Sequence, residues 1–550
     1  MSFKEFIKQN GVIYFFISAL FVLAIIAYSF ARGRLGNLPQ YDDVSYFFDA
    51  LNRYYVLMEQ GVWQTILNYK NTPPLSPYTT FVALIAYLIF GVKDWAPYVV
   101  NGFFVYLVVI MSAWYFQNFR PIKIFVLVLL LTCPLMGMAV HEFRPDIVNG
   151  FLTALACTSM IIYFFDQPKI RSYIVFSGIL LGCALLTKPS ASLFTMALYL
   201  SCLVVSWFSA VLNKEKNCGT AVIKQGAYSI FIGLIVATPY YIFAWRIIRD
   251  YVYNALVRDK EIWAVSGGWF YHFKYYLYGD GGALMLGMHF WIFLSLIVLM
   301  MAFLVRNNKK DRLLVSAMLL ITFIAWVPPT LNVVKTQFLG ATFYWLLIFT
   351  FTISVKKMCD IYYINRIYRS LIILTVAASA VMGVITFKFP PSWGWANDKA
   401  VIERNRIVEG ITSDIRKIAI EKPNLRVYFP YTGYINRDTL LYLLNKDGIR
   451  DVTINSHWPL MSEKIEEVYP KEFQAADMAI MATGDEQSML INMQFPTAFH
   501  MAEINELFAR RDDFIFLREI TTRRGQKISI YLKKDIYKDV IGNDNSVTVQ

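Results

Sequence analysis

The chain has 550 residues, of which 57% are hydrophobic, 17% aromatic and only 17% charged, and its mean hydropathy is +0.45. That is too apolar for one soluble globular chain of this length and predicts an integral membrane protein. The formal charge of +13 does not point to nucleic acid, because the basic residues recur in short clusters between apolar runs instead of gathering on one face or tail. That distribution is the mark of cytoplasmic loops, where Lys and Arg are retained during insertion.

The first apolar run, GVIYFFISALFVLAIIAYSF at 11–30, is too long for a cleaved signal peptide, and its flank is unlike a small-residue cleavage site. It reads as a retained span. Directly after it comes YDDVSYFFDA at 41–50, in which Asp42 and Asp43 are adjacent and lie among Tyr41, Tyr46, Phe47 and Phe48. Those aromatics suggest partial burial, whereas Asp49 more simply caps a helix or is solvated. Next, YKNTPPLSPY carries Lys70, and TTFVALIAYLIFGV at 79–92 is short enough to suit an interfacial or re-entrant helix.

Further apolar segments run over 97–117, 122–140, 147–165, 172–187, 190–212, 220–245, 286–305, 313–330, 334–355 and 368–388. Basic clusters stand at Lys4 and Lys8; Arg120 and Lys123; Lys169 and Arg171; Lys214 and Lys216; Arg306, Lys309, Lys310 and Arg312; and Lys356, Lys357, Arg366 and Arg369. If all are cytoplasmic, two spans separate each successive pair, which gives about 11 spans with the N-terminus inside and the C-terminus outside. The outer regions are then the long first loop at 31–96, 141–146, the turn at Lys188 and Pro189, 246–285, and everything after about 389.

The last of these reads as a soluble α/β domain over 391–550, following a membrane module over 1–390. An amphipathic helix is predicted near 397–421, strands at LRVYF (425–429) and DMAIMA (477–482), and a hairpin of FIFLREI and KISIYLK around Arg524 and Gly525. The tail at 542–550 is polar and is expected to fray. The six cysteines show no CxxC spacing, so neither a zinc site nor a disulfide framework is expected.

On the outer face the acids are Asp42 and Asp43, with His141, Glu142, Arg144 and Asp146 in HEFRPD, and the cations are Lys70, Arg144, Lys188, Arg246 and Lys335. Acids and cations on one membrane face suit binding of an anionic substrate and activation of a hydroxyl. Plainer readings stand beside this one. Pro145 and Asp146 suit the start of a helix, Arg144 and Asp146 can simply pair, and Lys188 in LLTKPS can be a lysine snorkelling at a span end. His272 and His289 have no second metal-type ligand at useful spacing and read as structural. The aromatics of GGWFYHFKYYLYGD at 267–280 read first as an interface belt.

Taken in order, an N-terminal span, a YDD acid pair, a PPLSPY element before a short helix, an RPD motif after the third span and an outer α/β domain resemble the GT-C superfamily of glycosyltransferases. The likeness is to the protein O-mannosyltransferase and aminoarabinose lipid A transferase group, over the order of elements in about the first 350 residues. The resemblance implies transfer of a sugar from a polyprenyl-phosphate donor to an acceptor hydroxyl, with inversion, at the periplasmic face of a bacterial inner membrane. It also implies that Asp42 is the catalytic base and that Asp43, a candidate substrate-binding residue, stands where relatives have Glu. Asp146 is the matching acid of the second outer loop, with a catalytic role in orienting substrate or supporting Asp42, and Lys70 matches a cation near the donor phosphate.

The sequence departs from the pattern before its second span, where KDWAPY offers only Lys93 in place of an arginine, and after PPL, which continues as SPY. A phosphate leaves without help from a general acid, so one base and some positive charge suffice. Arg144 and Lys188 join Lys70 as candidate phosphate contacts, and His141, Glu142 and Lys335 as further candidate substrate-binding residues. The expected partners are the lipid-linked donor, a glycan, lipid or protein acceptor, and membrane lipids, with no nucleic acid. No cofactor is expected, a divalent cation being the alternative. A polytopic transporter and a lipid-linked oligosaccharide ligase or polymerase are the competing classes, but internal halves and charges at span centres, which a transporter would carry, are not evident.

Overall fold

The computed structural model describes residues 2–39, 41–165, 172–212, 218–258, 264–307, 309–362, 365–390, 398–429, 437–455, 464–483, 496–522, 525 and 527–540. The predicted tail and Arg524 lie outside the described residues, whereas Gly525 lies within them. The membrane module begins with α1 (Phe3–Arg32), closed at its start by a reciprocal cap between Ser2 and Glu5. It continues through α2 (Tyr41–Asn71), α3 (Pro77–Phe90), α4 (Ala96–Asn101), α5 (Phe103–Tyr115), α6 (Arg120–Thr132), α7 (Pro134–His141), α8 (Pro145–Phe165), α9 (Ser172–Thr187), α10 (Ser192–Leu212) and α11 (Cys218–Tyr253). Two short helices, α12 (Trp269–Tyr275) and α13 (Asp280–Met285), precede α14 (His289–Asn307), α15 (Lys309–Leu331), α16 (Ala341–Tyr362) and α17 (Arg366–Ile385).

Among the described residues eight helices are long and apolar enough to cross a membrane, or nine if α6 and α7, bent by 53° at their junction, form one span. The bend falls at Cys133–Pro134, where the proline cannot donate to the preceding turn. The other two predicted spans are helices as well, but α9 and the apolar part of α14 (His289–Phe303) are shorter than the roughly 20 residues a crossing needs. The chain is an integral membrane protein. Close helix contacts depend on small residues: a Cβ on Gly150 of α8 would lie 2.7 Å from the backbone of α16 at Ala341 and Thr342. Beside that contact the rings of Phe104, Phe151 and Trp345 meet edge-on.

The predicted first outer loop is instead mostly helix. α2 spans 31 residues and breaks at Gly61, whose φ of +83° favours glycine. Its apolar residues Val44, Phe47, Ala50 and Leu51 are buried, so tertiary packing supports a helix whose own hydropathy is low. α3 is the predicted short apolar helix. Ser76 caps it, Pro77 opens it and Gly91, at φ +73°, ends it.

The C-terminal region is a three-layer α/β unit with α18 (Lys399–Glu421), β1 (Arg426–Tyr428), α19 (Arg437–Lys446), β2 (Thr453–Asn455), α20 (Ile465–Ala475), β3 (Met478–Thr483), α21 (Pro496–Ala509), β4 (Phe514–Thr521), β5 (Lys527–Lys533) and α22 (Lys534–Val540). The sheet order is β2-β1-β3-β5-β4; the first three strands are parallel and β5 is antiparallel to both its neighbours. Side chains alternate along β3 as the two-residue period requires. Met478 and Ile480 join Ile407, Ile411 and Ile415 of α18 on one side, while Ala479 and Met481 join Tyr469, Phe473 and Phe508 on the other.

Candidate active site

Asp42 and Asp43 stand in the first turn of α2. Successive helical residues are turned about 100° apart, so the two carboxylates face different surroundings. Asp43 is buried, at 1% exposure, and is held by Arg34 Nη1 at 3.2 Å, by the Tyr98 hydroxyl, which donates at 2.6 Å, and by the Phe143 N–H at 3.4 Å. Asp42 is turned outward, with 57% of its side chain exposed, and pairs with Arg144 Nη1 at 2.7 Å.

Glu142, which is fully buried, joins the two halves. Its Oε2 lies 2.5 Å from Arg34 Nη2 and 3.7 Å from Arg144 Nε. Burial works against the charge of Arg34, but Asp43 and Glu142 outweigh it and hold the guanidinium more firmly charged than usual. Burial likewise raises the pKa of the Glu142 carboxyl, against the pull of Arg34. Arg144 is seated over the ring of Phe338, 4.5 Å from its centre, a cation–π contact that leaves the guanidinium facing Asp42. Phe338 belongs to a short turn, Gln337–Gly340, just before α16.

Asp146 opens α8, where a carboxylate also favours the positive end of the helix dipole. Its Oδ1 pairs with the ammonium of Lys188, in the turn after α9. Burial opposes the Lys188 charge, yet the Asp146 carboxylate more than compensates, so its pKa rises. Two tyrosines lie near both pairs. Tyr46 lies within electrostatic range of Asp42, Asp146 and Arg144, and Tyr251 within range of Lys188, Asp42, Asp146 and Arg144. Burial raises the Tyr46 pKa well above its ordinary value.

The fold thus brings together Asp42, Asp43, Glu142, Arg144, Asp146 and Lys188. His141 lies behind this group, fully buried against Gly33, and its ring nitrogens have no hydrogen-bond partner among the described residues. Lys335 is directed elsewhere. Its ammonium donates to the carbonyls of Pro329, Thr330 and Asn332 at 2.5 to 2.8 Å, which closes the C-terminal end of α15. Lys70 is exposed near the end of α2, over the ring of Phe243 at 5.5 Å.

Arg53, which motif spacing does not reveal, fastens the two arms of α2 across the Gly61 break. It donates to Asp49 on the first arm, and to Asn68 at 2.5 Å and the Thr72 carbonyl at 2.6 Å on the second. The PPLS element that follows Lys70 is also pinned. Pro74 accepts a hydrogen bond from Tyr240 at 2.5 Å, and Ser76 donates to the carbonyl of Thr187, next to Lys188, at 2.8 Å. Among the described residues no group of three His, Cys, Asp or Glu is placed to hold a metal ion.

The helical bundle, the acid-bearing helix after the first span and the α/β unit together define a polytopic helical membrane protein with a C-terminal α/β unit. No protein-family model matches the sequence, and no curated protein does. Among solved structures, ArnT from Cupriavidus metallidurans in the apo state matches 96% of this chain and 99% of its own, with a TM-score of 0.55 at 13% identity. The same protein bound to undecaprenyl phosphate gives a TM-score of 0.54 at 13% identity, with 96% and 99% covered. The Archaeoglobus fulgidus oligosaccharyltransferase in its apo form gives 0.51 at 11% identity over 96% of this chain and 77% of its own. The likeness is one of fold.

Proposed function

We propose that the chain is an inverting membrane glycosyltransferase. It moves a hexosyl or pentosyl group from a polyprenyl-phosphate donor to an acceptor hydroxyl on a glycan, lipid or protein. The observation that carries this reading is the contrast within the YDD motif, where Asp42 is exposed and oriented by Arg144 while its neighbour is buried. A carboxylate held in place by a guanidinium and open on its other side suits a general base. Support also comes from the fold, since one matched structure is ArnT bound to undecaprenyl phosphate.

In this reading the acceptor hydroxyl gives its proton to Oδ1 of Asp42, while Oδ2 stays on Arg144. The acceptor oxygen bonds to the anomeric carbon as the bond from that carbon to the phosphate oxygen breaks, and the electron pair departs with the lipid phosphate. Lys188 and Lys70 meet the charge that develops there, and Asp146 holds Lys188 between turnovers. Reaction proceeds without a metal cofactor. The charge alternation along the sequence supports an outer-face position for the site and the α/β unit, which in this reading is the periplasmic side of a bacterial inner membrane.

The test is incubation of the purified full-length protein with undecaprenyl-phosphate-linked pentoses and hexoses, together with outer-envelope glycan, lipid and protein fractions. One donor should be consumed with release of undecaprenyl phosphate. Failure to consume any donor with every acceptor fraction would sink the proposal.

A further inference from the structure

The role of the C-terminal unit can be read from where it touches the membrane module. α19, ten residues and about 15 Å long at 1.5 Å per residue, packs on the N-terminal half of α2, and the contacts of α19 and the residues just after it run from Pro39 to Glu59. Tyr442 of α19 has no exposure and belongs to the core of the membrane module, its ring 6.1 Å from that of Phe47. Its hydroxyl donates to Asp94 at 2.7 Å, and Lys446 reaches the same oxygen at 2.9 Å. Farther along, the Tyr55 hydroxyl donates to the carbonyl of Asn445 at 2.8 Å, and Arg450 pairs with Glu59 at 2.8 Å.

Two contacts are more pointed. The Thr439 hydroxyl donates at 2.6 Å to the carbonyl of Pro39, three residues before Asp42, in a buried hydrogen bond. The Ser45 hydroxyl, three residues after Asp42, donates at 2.5 Å to Oδ2 of Asp438. One turn of α19 therefore grips the helical turn that carries Asp42 at both of its ends. The membrane side holds the same turn from within, through Arg34 and Tyr98 on Asp43.

We propose that Thr439 and Asp438 are positioning residues for Asp42, so that the α/β unit is a working part of the transfer site and not a separate binding module. The inference rests on the proposed function for the role of Asp42. The grip acts on placement of the base, so it bears on the chemical step and leaves donor binding largely alone. A base displaced by a fraction of an ångström loses alignment with the acceptor oxygen, and misplacement on that scale is enough to slow a reaction severely.

The experiment uses the full-length protein in lipid nanodiscs with undecaprenyl-phosphate-linked sugars and the envelope fractions as acceptors. Thr439→Val and Asp438→Ala should each lower kcat by about tenfold or more, with KM for the donor within about twofold. Thr439→Ser and Asp438→Asn, which keep a donor and an acceptor respectively, should restore most of the rate. Ser45→Ala combined with Asp438→Ala should cost no more than either alone, because both remove one hydrogen bond. Amide exchange over residues 39–48 should quicken in Thr439→Val while β3 and β5 keep their protection. If Asp42→Asn is inactive but Thr439→Val and Asp438→Ala turn over at the wild-type rate, the positioning role is wrong and the functional reading survives. Losses that Thr439→Ser and Asp438→Asn do not rescue, accompanied by faster exchange throughout the α/β unit, would also overturn it. Full activity of Asp42→Asn would instead remove the functional reading, and with it the role assigned to the grip.

Discussion

Two charged groups lie side by side at the start of α2, and they are built differently. The inner one, Arg34 with Asp43 and Glu142, is sealed: exposures are 7%, 1% and 0%, and the guanidinium bridges both acids. The outer one pairs each acid with one cation: Asp42 with Arg144 is open on the Asp42 side, and Asp146 with Lys188 is more covered, the exposure there being on Lys188. A buried ion pair is poor evidence of net stabilisation, but removing one partner from it is costly because the other charge is stranded away from water. A half-open pair costs little to disturb and leaves room for a ligand. The sealed group therefore reads as the anchor, and the open one as the part of the site a ligand can reach.

The largest effect should come from Asp42→Asn. Turnover is expected to fall by about 10² to 10⁴, the usual worth of a positioned general base, with membrane insertion and thermal unfolding unchanged. A matching loss of unfolding temperature would erase the distinction between the two groups. Next, Arg34→Gln leaves Asp43 buried without its cation and Glu142 with only the more distant Arg144. It should destabilise the protein by about 3–5 kcal/mol, measured by thermal unfolding in detergent; an unaltered melting curve would show that the inner group is no anchor.

Smaller in size, Lys188→Met should raise KM for the donor about tenfold, since one charge-assisted contact to phosphate is worth roughly 1.5–3 kcal/mol at most. The same variant should cost less stability than Arg34→Gln, because it strands one carboxylate, Asp146, which keeps the N-terminus of α8. An effect on unfolding alone would move this pair to the anchoring group. The smallest expected change is with chelators: thorough removal of divalent ions should leave the rate unaltered. Loss that added divalent ions restore would assign the site a metal.

Much of the frame was legible in the sequence. Every predicted span coincides with a helix, because a run of apolar residues in this periodicity has no other way to bury its backbone in hydrocarbon. The β3 strand and the β4–β5 pair were readable from alternation and from the Gly525 turn. α2 was not. Its mean hydropathy is low, and only the faces of the module and of α19 make it a helix of 31 residues. The site divides in the same way. HEFRPD and YDD were visible as acid-rich exits from spans, whereas no motif or spacing singles out Arg34, and only the fold sets it between Asp43 and Glu142. Lys335 failed to separate from Lys188 by pattern because both follow an apolar run; one meets a carboxylate and the other three carbonyl oxygens.

By itself the sequence determined that this is a membrane protein with an α/β unit after its spans, because hydropathy and alternation are local properties that insertion and strand pairing read directly. It also determined that acids and cations collect at one set of span ends. Only the tertiary structure decided which acid faces inward. The 100° turn between Asp42 and Asp43 has no meaning until Arg34, Tyr98 and α19 surround it, and those partners come from positions 8 residues before, about 55 residues after and nearly 400 residues after the pair.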